Sequence, residues 1–159
     1  KTIFEKYPNE NIFLIWKGAN RKSPHYIQFN NEIKALNLEG KINIIPQSQD
    51  MSLFYNSIDI FISTAREEPY GLTLLESALY KIPCIAFEKS GGPEEILSKN
   101  TGIILPYADF NAAADKIVQL KRDIKFRKKY SKSIFRYATN NIKNDNFKAY
   151  KEIIDRFIK

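Results

Sequence analysis

The chain has 159 residues, 43% of them hydrophobic and 13% aromatic, which is enough for one domain with a substantial core. It lacks the roughly 20-residue apolar stretch of a membrane span and the apolar core of a signal peptide, and its single cysteine, Cys84, excludes an internal disulfide and fits the cytoplasm. The net charge of +7 is uneven, because residues 1–115 carry 11 Lys/Arg and 14 Asp/Glu whereas residues 116–159 carry 14 and 4.

A strand followed by a helix is predicted at the start of the chain. The apolar run at residues 11–16 predicts a strand that leads to Gly18. Ser23 and Pro24 suit the N-cap and first position of a helix that continues to about Leu38. We expect the apolar residues of this helix on its buried side: Ile27, Ile33 and Leu36.

The same order then repeats. Residues 41–45 predict a short strand that Pro46 stops, and Asp50 can cap a short helix over residues 51–57. Three further strands are predicted at residues 59–63, 84–87 and 102–105. A helix from Gly71 to Leu79 separates the first two of these. A Gly91-Gly92-Pro93 turn and a short helix to Leu97 separate the last two.

Continuous apolar strands separated by helices are typical of a parallel sheet that is covered on both faces. We therefore predict an α/β fold, a Rossmann-like doubly wound parallel sheet with helices on both faces. Ligands of such sheets bind beyond the carboxyl ends of the strands. In this chain those ends are Gly18, Pro46, residues 64–71 and residues 90–93, and four loops at one edge predict a binding cleft.

The remainder, residues 109–159, is predicted as a helical C-terminal extension of one 1–159 domain, with Asp109 as its first cap. Three apolar stripes are expected to be packing faces. They are Phe110, Ala113, Ala114, Ile117 and Leu120; Phe126, Tyr130, Ile134 and Tyr137; and Phe147, Tyr150, Ile153, Ile154, Phe157 and Ile158.

The basic C-terminal third has three interpretations. It is a solvated helix face, a surface that is attracted to an anionic membrane, or a surface that docks against an N-terminal domain that precedes these residues. Nucleic acid is not predicted as a partner, because neither a Gly-Phe-rich RNA motif nor a recognition helix accompanies the charge. We expect a cytoplasmic protein, with peripheral association at the inner face of the membrane as the second interpretation.

The segment Glu68-Pro-Tyr-Gly-Leu-Thr-Leu-Leu-Glu76 carries the strongest functional signal. A strand, a loop with a carboxylate and a helix that begins at glycine are typical of phosphate-binding sites in α/β proteins, because first-turn N–H groups and the helix dipole attract anions. Glu76 lies one turn further along an otherwise apolar helix. Burying this carboxylate is costly unless it is paired, and a ligand hydroxyl is one candidate partner.

Four motifs in sequence order resemble the family-4 (group 1) glycosyltransferases. They are Ser63-Thr-Ala-Arg-Glu-Glu-Pro-Tyr-Gly-Leu-Thr-Leu-Leu-Glu-Ser-Ala-Leu79, Pro83-Cys-Ile-Ala86, Ser90-Gly-Gly-Pro-Glu94 and Thr101-Gly-Ile-Ile-Leu-Pro106. These enzymes are retaining glycosyltransferases of the GT-B fold. The resemblance is to their C-terminal, sugar-nucleotide-binding domain, and it covers roughly residues 10–120.

The resemblance implies roles for five residues of the opening motif. Glu68, the first glutamate of the family's Glu-x7-Glu motif, lies near the hydroxyls and reacting carbon of the transferred sugar, and Glu76 accepts hydrogen bonds from the ribose. Gly71, Leu72 and Thr73 offer amides, and Thr73 also a hydroxyl, to the diphosphate. Such donors assist departure of the leaving group as negative charge develops on it.

Further donor-binding residues are implied at the other strand ends. Asn43, Ile44 and Pro46 line the edge that holds the base, largely through main-chain groups. Gly18 marks the first loop of the cleft, and Lys17 beside it partly compensates for family cations that are not recognisable here. Gly91 and Gly92 either permit a tight turn or let the backbone approach the donor sugar.

The resemblance implies a hexosyltransferase of polysaccharide or glycoconjugate biosynthesis. It moves a sugar from a nucleoside-diphosphate sugar to a glycan or lipid-linked acceptor, and no metal or other cofactor is implied. The family's first strand-helix unit and its acceptor-binding N-terminal domain are not recognisable in these residues. We therefore expect a piece of an enzyme that shows no turnover alone. A non-catalytic nucleotide-binding or regulatory module of the same fold is the alternative.

Overall fold

The computed structural model of the protein describes residues 1–47, 51–98 and 100–143, with side chains up to residue 140. Within them the chain forms two compact units. The first unit is Lys1–Phe54, and the second begins at Tyr55. The predicted cap Asp50 and the predicted apolar stripe at residues 147–158 lie outside the described residues.

The first unit contains a two-stranded parallel sheet. Its elements are α1 (Thr2–Lys6), β1 (Leu14–Lys17), α2 (Pro24–Ala35) and β2 (Ile42–Ile45), and the boundary between the units falls within α3 (Ser52–Asn56). β1 pairs with β2 along its whole length, with Leu14 opposite Ile42 and Lys17 opposite Ile45. The carboxyl ends of the two strands therefore lie side by side.

The start of α2 is confirmed and its end is not. The Tyr26 N–H donates to Ser23 Oγ at 3.1 Å, and Pro24 is the first helical residue. The helix ends at Ala35, short of the predicted Leu38, since Asn37 adopts a left-handed φ of 53°. Only Ile33 of its predicted buried side is in the core; the expectation is wrong for the two other residues, Ile27 (53% exposed) and Leu36 (43%).

The second unit contains a three-stranded parallel sheet in the order β3-β4-β5. Its elements are β3 (Phe61–Ile62), α4 (Leu72–Leu79), β4 (Cys84–Phe87), α5 (Gly92–Leu97), β5 (Ile103–Leu105), α6 (Phe110–Arg122) and α7 (Ile124–Lys143). β3 is three residues shorter than predicted, and α5 begins at Gly92, so that Gly92 and Pro93 belong to the helix rather than to a preceding turn.

The central strand β4 is buried on both faces. Cys84 and Ala86 pack in a core cluster with residues of α4, α5 and α7: Leu74, Ala78, Ile96, Leu97, Ile134 and Ala138. Ile85 and Phe87 point into a second cluster that includes Ala113 and Leu120 of α6. Alternate residues of a strand face opposite sides of the sheet, so helices cover both faces and the predicted α/β fold is confirmed.

The C-terminal helices follow the predicted apolar stripes closely. Asp109 accepts a hydrogen bond from the Ala112 N–H at 2.9 Å and caps α6 as expected. On α7, Ile134 is fully buried, and the aromatic residues of the predicted stripe pack against the two clusters. Phe110 differs, because it is 58% exposed, although its ring forms a T-shaped pair with that of Phe87, with ring centres 5.9 Å apart.

Candidate functional site

Two loops meet at the carboxyl ends of β3 and β4 in the second unit. The Glu68 N–H donates to the Ser90 carbonyl at 3.0 Å, and the Gly92 N–H donates to the Glu68 carbonyl at 2.8 Å. This is a one-residue parallel bridge between Glu68 and Gly91. The loop after β3 is therefore held by the loop after β4, and the position of Glu68 depends on both.

The glycine pair allows this close approach. Gly91 has a φ of +82°, and a Cβ there would lie 2.9 Å from the Glu68 carbonyl oxygen. A Cβ on Gly92 would lie 2.6 Å from the carbonyl carbon of Tyr70. Side chains at these positions would force the backbones apart. The close packing of the two loops therefore explains why glycine occupies both positions.

The Glu68 carboxylate folds back onto its own loop. Its Oε1 accepts hydrogen bonds from the Gly71 N–H at 3.1 Å and the Tyr70 N–H at 3.3 Å. Gly71 has a left-handed conformation, with φ 65° and ψ 37°, that turns the chain into α4. The side chain of Glu68 is half-buried, and among the described residues its Oε2 has no partner.

The first turn of α4 presents two backbone donors. The N–H groups of Leu74 and Leu75 both donate to the Gly71 carbonyl. The N–H groups of Leu72 and Thr73 have no acceptor within residues 1–47, 51–98 and 100–143, and both residues are exposed. Of the three amides expected to face a diphosphate, those of Leu72 and Thr73 are therefore available and that of Gly71 is engaged by Glu68.

Glu76 is exposed, so the expectation of a costly buried carboxylate on α4 is wrong. The buried residues of this helix are Leu74, Ser77 and Ala78, on the opposite side. Glu76 does have a partner in the protein, because the Tyr55 hydroxyl donates to its Oε2 at 2.7 Å. Burial and the hydrogen bond to Glu76 raise the pKa of Tyr55 far above its usual value.

The predicted residues at the other strand ends lie in the first unit. Lys17 is the last residue of β1, and its Nζ lies 5.5 Å from the centre of the Phe54 ring. The Gly18 N–H donates to the Ile45 carbonyl at 3.1 Å, which joins the ends of β1 and β2. Asn43 and Ile44 belong to β2 itself, and Pro46 follows it.

Two features of the second unit were not predicted from the sequence. Tyr55 contacts Glu76, yet a tyrosine in a short amphipathic helix is ordinarily a packing residue, and only its hydroxyl distinguishes it from phenylalanine. The Ser90 hydroxyl is buried, and it has no hydrogen-bond partner within the described residues. The sequence signal that could have singled out Ser90 is its position directly before a glycine pair at the end of a strand.

The described parts of the chain contain no cluster of three or more His, Cys, Asp or Glu side chains that could hold a metal ion. Within the same residues, every helix is too short or too polar to span a membrane. The polar groups that surround α4 in the described residues include backbone amides, the carboxylates of Glu68 and Glu76, and the Tyr55 hydroxyl.

Sequence comparison finds glycosyltransferases and a synthase. The chain is 31% identical over 122 residues to a probable sucrose-phosphate synthase of Thermosipho melanesiensis, which is 72% of this chain and 28% of that protein. It is 28% identical over 109 residues to an amylovoran biosynthesis glycosyltransferase of Erwinia amylovora, which is 69% of this chain and 31% of that protein. The chain spans less than a third of the length of either relative.

Comparison with solved structures finds proteins that share the fold of this chain. A glycosyltransferase from Rickettsia africae ESF-5 matches with a TM-score of 0.80 and 26% identity, over 96% of this chain and 43% of that chain. Anabaena HepE, solved in complex with UDP, matches with a TM-score of 0.79 and 18% identity, over 98% of this chain and 43% of that chain. Both neighbours support a GT-B glycosyltransferase domain fold.

The profile of one protein family, described as "Glycosyl transferases group 1", matches residues 2–136. The match includes all four motifs from Ser63 to Pro106 and both loops that meet at Glu68. The chain therefore belongs to the group 1 glycosyltransferase family.

Proposed function

We propose that this protein is the donor-binding half of a retaining glycosyltransferase. It binds a nucleoside-diphosphate sugar, and the complete enzyme transfers the sugar to a glycan or lipid-linked acceptor in polysaccharide or glycoconjugate biosynthesis. The observation that carries the proposal is the arrangement around α4. Two exposed first-turn amides, those of Leu72 and Thr73, lie between the carboxylates of Glu68 and Glu76 in the sequence.

The chemistry of a nucleoside-diphosphate sugar fits these groups. In the transfer, the bond between the anomeric carbon and the diphosphate oxygen breaks, and negative charge develops on the leaving diphosphate. The amides of Leu72 and Thr73 and the dipole of α4 stabilise this charge. Glu68 faces the sugar through its unpartnered Oε2, and Glu76 accepts from the ribose hydroxyls.

The ligands of a solved protein with a similar fold support a nucleoside-diphosphate sugar as the ligand. HepE of Anabaena was solved with UDP and, in another crystal, with UDP-glucose, and we infer a ligand of the same class for this chain. The remaining donor contacts are proposed at the end of the first unit's sheet, in Lys17, Gly18, Asn43, Ile44 and Pro46, and at Gly91 and Gly92.

Calorimetric titration with UDP-, GDP- and ADP-linked sugars tests the proposal. We expect one base to be preferred, and no binding of any of them at millimolar concentration would contradict it. Glu76→Ala should weaken binding of the bare nucleoside diphosphate, whereas Glu68→Ala should mainly weaken the additional contribution of the sugar. Glu67→Ala is the matched control, since Glu67 is an exposed neighbour in the same loop.

Turnover separates the enzyme from the alternative, a non-catalytic nucleotide-binding module. Incubation of the full-length protein with the preferred donor and a glycan or lipid-linked acceptor should release the nucleoside diphosphate. Proton NMR of the product should show the donor's anomeric configuration. Donor binding without release in the presence of any acceptor would favour the module, and an inverted product would contradict the retaining mechanism.

A second proposal concerns the basic helix α7. Five basic residues are exposed and fall within an arc of about 100° along about three turns, at 100° per residue. They are Lys125, Lys128, Lys129, Lys132 and Arg136. α7 contains no acidic residue, and among the described residues no carboxylate lies within ion-pair distance of the five. The stripe spans about 17 Å, at 1.5 Å per residue.

We propose that this stripe contacts the inner face of an anionic membrane. The opposite side of α7 is anchored in the core through Ile134 and Ala138, so the cations are presented in one line rather than on a mobile tail. Each basic residue near an anionic surface contributes about 1 kcal/mol at low salt. Four of the five residues are lysines, which suit a diffuse anionic surface better than base-specific recognition.

Vesicle co-sedimentation tests the membrane proposal. We expect binding to vesicles that contain phosphatidylglycerol and none to phosphatidylcholine alone. Replacing Lys125, Lys129 and Lys132 with glutamine should lower binding about a hundredfold at low salt. Replacing Arg21, Lys22 and Lys34 removes the same charge elsewhere and should have little effect. Equal binding to both vesicle types, or binding to duplex DNA only, would contradict the proposal.

A further inference from the structure

We propose that Tyr55 is a positioning residue that holds the Glu76 carboxylate in the orientation in which it accepts the ribose of the donor. The inference rests on the proposed function for the role of Glu76, and it adds a residue that the sequence motifs do not contain. Its basis is the 2.7 Å hydrogen bond from the Tyr55 hydroxyl to Glu76 Oε2.

Tyr55 is a rigid donor. Only 3% of its surface is exposed, and its ring stacks on that of Tyr80, with ring centres 5.2 Å apart and planes inclined by 27°. The hydroxyl also lies 3.4 Å from the Thr73 carbonyl in the first turn of α4. A packed ring loses its rotational freedom on folding, so its hydroxyl is already in place before any ligand arrives.

Glu76 has the opposite character. It is exposed on α4, and an exposed glutamate side chain samples several rotamers about its three torsion angles. A short hydrogen bond to a fixed phenol selects the rotamer that points Oε2 at Tyr55. A carboxylate accepts about four hydrogen bonds, so Oε1 keeps its full capacity for the two ribose hydroxyls.

The hydroxyl remains a donor over the whole pH range in which the protein would work. Burial, followed by the hydrogen bond and the charge of Glu76, keeps the pKa of Tyr55 well above its ordinary value. The phenol is therefore protonated at neutral pH and can donate its proton to the Glu76 carboxylate. Because the carboxylate is already ordered, ligand binding does not incur the entropy cost of ordering it.

A double-mutant cycle tests the inference. The proteins are the wild type, Tyr55→Phe, Glu76→Ala and the double variant, and the ligand is UDP, GDP or ADP, whichever binds the wild type most tightly. We expect Tyr55→Phe to raise the Kd roughly two- to tenfold, the effect of ordering one flexible side chain on binding. In the Glu76→Ala background the same change should have no effect on Kd.

Tyr80→Phe is the matched control. It removes a hydroxyl from the ring that stacks on Tyr55 but leaves the hydrogen bond to Glu76 in place, so the Kd should not change. A purely structural role of Tyr55 predicts an equal loss of affinity with and without Glu76. That result, or a Tyr55→Phe protein with wild-type Kd, would overturn the inference.

The inference and the proposed function fail in different ways. If Glu76→Ala binds the nucleoside diphosphate as well as the wild type, the ribose role of Glu76 is wrong. If Glu76→Ala weakens binding and Tyr55→Phe does not, the role of Glu76 stands and the positioning role of Tyr55 is wrong. Melting curves of all four proteins establish that each is folded at the temperature of the titration.

Discussion

The buried Tyr55 hydroxyl donates a 2.7 Å hydrogen bond to the exposed carboxylate of Glu76. The two residues are separated by 21 positions and belong to α3 and α4. The bond ties a side chain at the proposed ribose position to the core of the second unit. The orientation of a surface carboxylate is thereby set by the packing of an interior aromatic residue.

The Tyr55 hydroxyl should also stabilise the fold. We expect Tyr55→Phe to lower the free energy of unfolding by about 1 kcal/mol, the net value of one hydrogen bond. Urea denaturation at neutral pH measures the difference. Tyr80→Phe is the control, and an equal loss in that variant would show that the bond to Glu76 is not responsible.

The same bond predicts a pH dependence of stability. The pKa of Tyr55 is raised in the folded state above 10.0, so its stabilising contribution is complete below pH 10 and is lost as the pH rises further. Between neutral pH and the alkaline range, the wild type should therefore lose more stability than Tyr55→Phe. Urea midpoints at a series of pH values measure this. Parallel curves for the two proteins would contradict the assignment.

Gly91→Ala should be strongly destabilising. The new Cβ would lie 2.9 Å from the Glu68 carbonyl oxygen, and the backbone φ of +82° is unfavourable for alanine. We expect a loss of about 2–4 kcal/mol from overpacking and strain together. Gly40→Ala is the matched control, because Gly40 has a similar φ of +76° but nothing within 4 Å of a Cβ.

The Gly40 variant should lose only about 1 kcal/mol, the cost of the strained backbone alone. Thermal or urea unfolding of both variants measures the difference. If the two losses are equal, the close approach of the Gly91 and Glu68 loops does not contribute. The Gly91→Ala protein should also bind the nucleoside-diphosphate sugar more weakly, since the same contact positions Glu68.

The Cys84 thiol should be unreactive in the folded protein. It is fully buried in β4, and burial raises its pKa to about 12, although a hydrogen bond with Ser77 acts in the opposite direction. We expect no alkylation by iodoacetamide at pH 8 in the native state and complete alkylation in urea. Mass spectrometry measures the extent. Rapid native labelling would contradict the burial of β4.

Deprotonation of the Cys84 thiol should also lower the stability of the fold at alkaline pH. Its folded pKa of about 12 exceeds the ordinary 9.0, so its contribution to stability is complete below pH 9 and is lost as the pH rises from 9 towards 12. Cys84→Ala should remove this part of the pH dependence. It should also cost stability at neutral pH, because the smaller side chain leaves a cavity between the packed helices and β4.

The N-cap of α6 should contribute measurably to stability. Asp109 accepts a 2.9 Å hydrogen bond from the Ala112 N–H. We expect Asp109→Ala to lower the free energy of unfolding by about 1 kcal/mol. Asn111→Ala is the control, since Asn111 is exposed in the same turn and is not the cap, and alanine favours the helix at that position. Urea denaturation of both variants distinguishes the cap from a general effect.

Much of the architecture follows from local sequence signals. Ser23, Pro24 and Asp109 predict helix starts because capping is a matter of a few neighbouring backbone groups. The four residues of β4 are predicted without error because a strand buried on both faces must be apolar throughout. The order of the motifs from Ser63 to Pro106 likewise predicts the family.

Other features depend on which surfaces meet. Ile27 and Leu36 fit the helical period of α2 but are exposed, since periodicity gives a face and does not say what covers it. Glu76 lies among apolar residues in the sequence, yet Leu74, Ser77 and Ala78 alone are buried on α4. Whether a residue on a helix is buried depends on which neighbouring element packs against it, and the local sequence pattern does not contain that information.

The sequence by itself therefore determined the α/β class, the family, and the loop and helix that carry Glu68 and Glu76, because these depend on residue type and spacing along the chain. The tertiary structure alone decided that Gly91 packs against Glu68 and that Tyr55 reaches Glu76. Both contacts join segments about 20 residues apart. Their existence depends on how strands and helices pack, which no local pattern encodes.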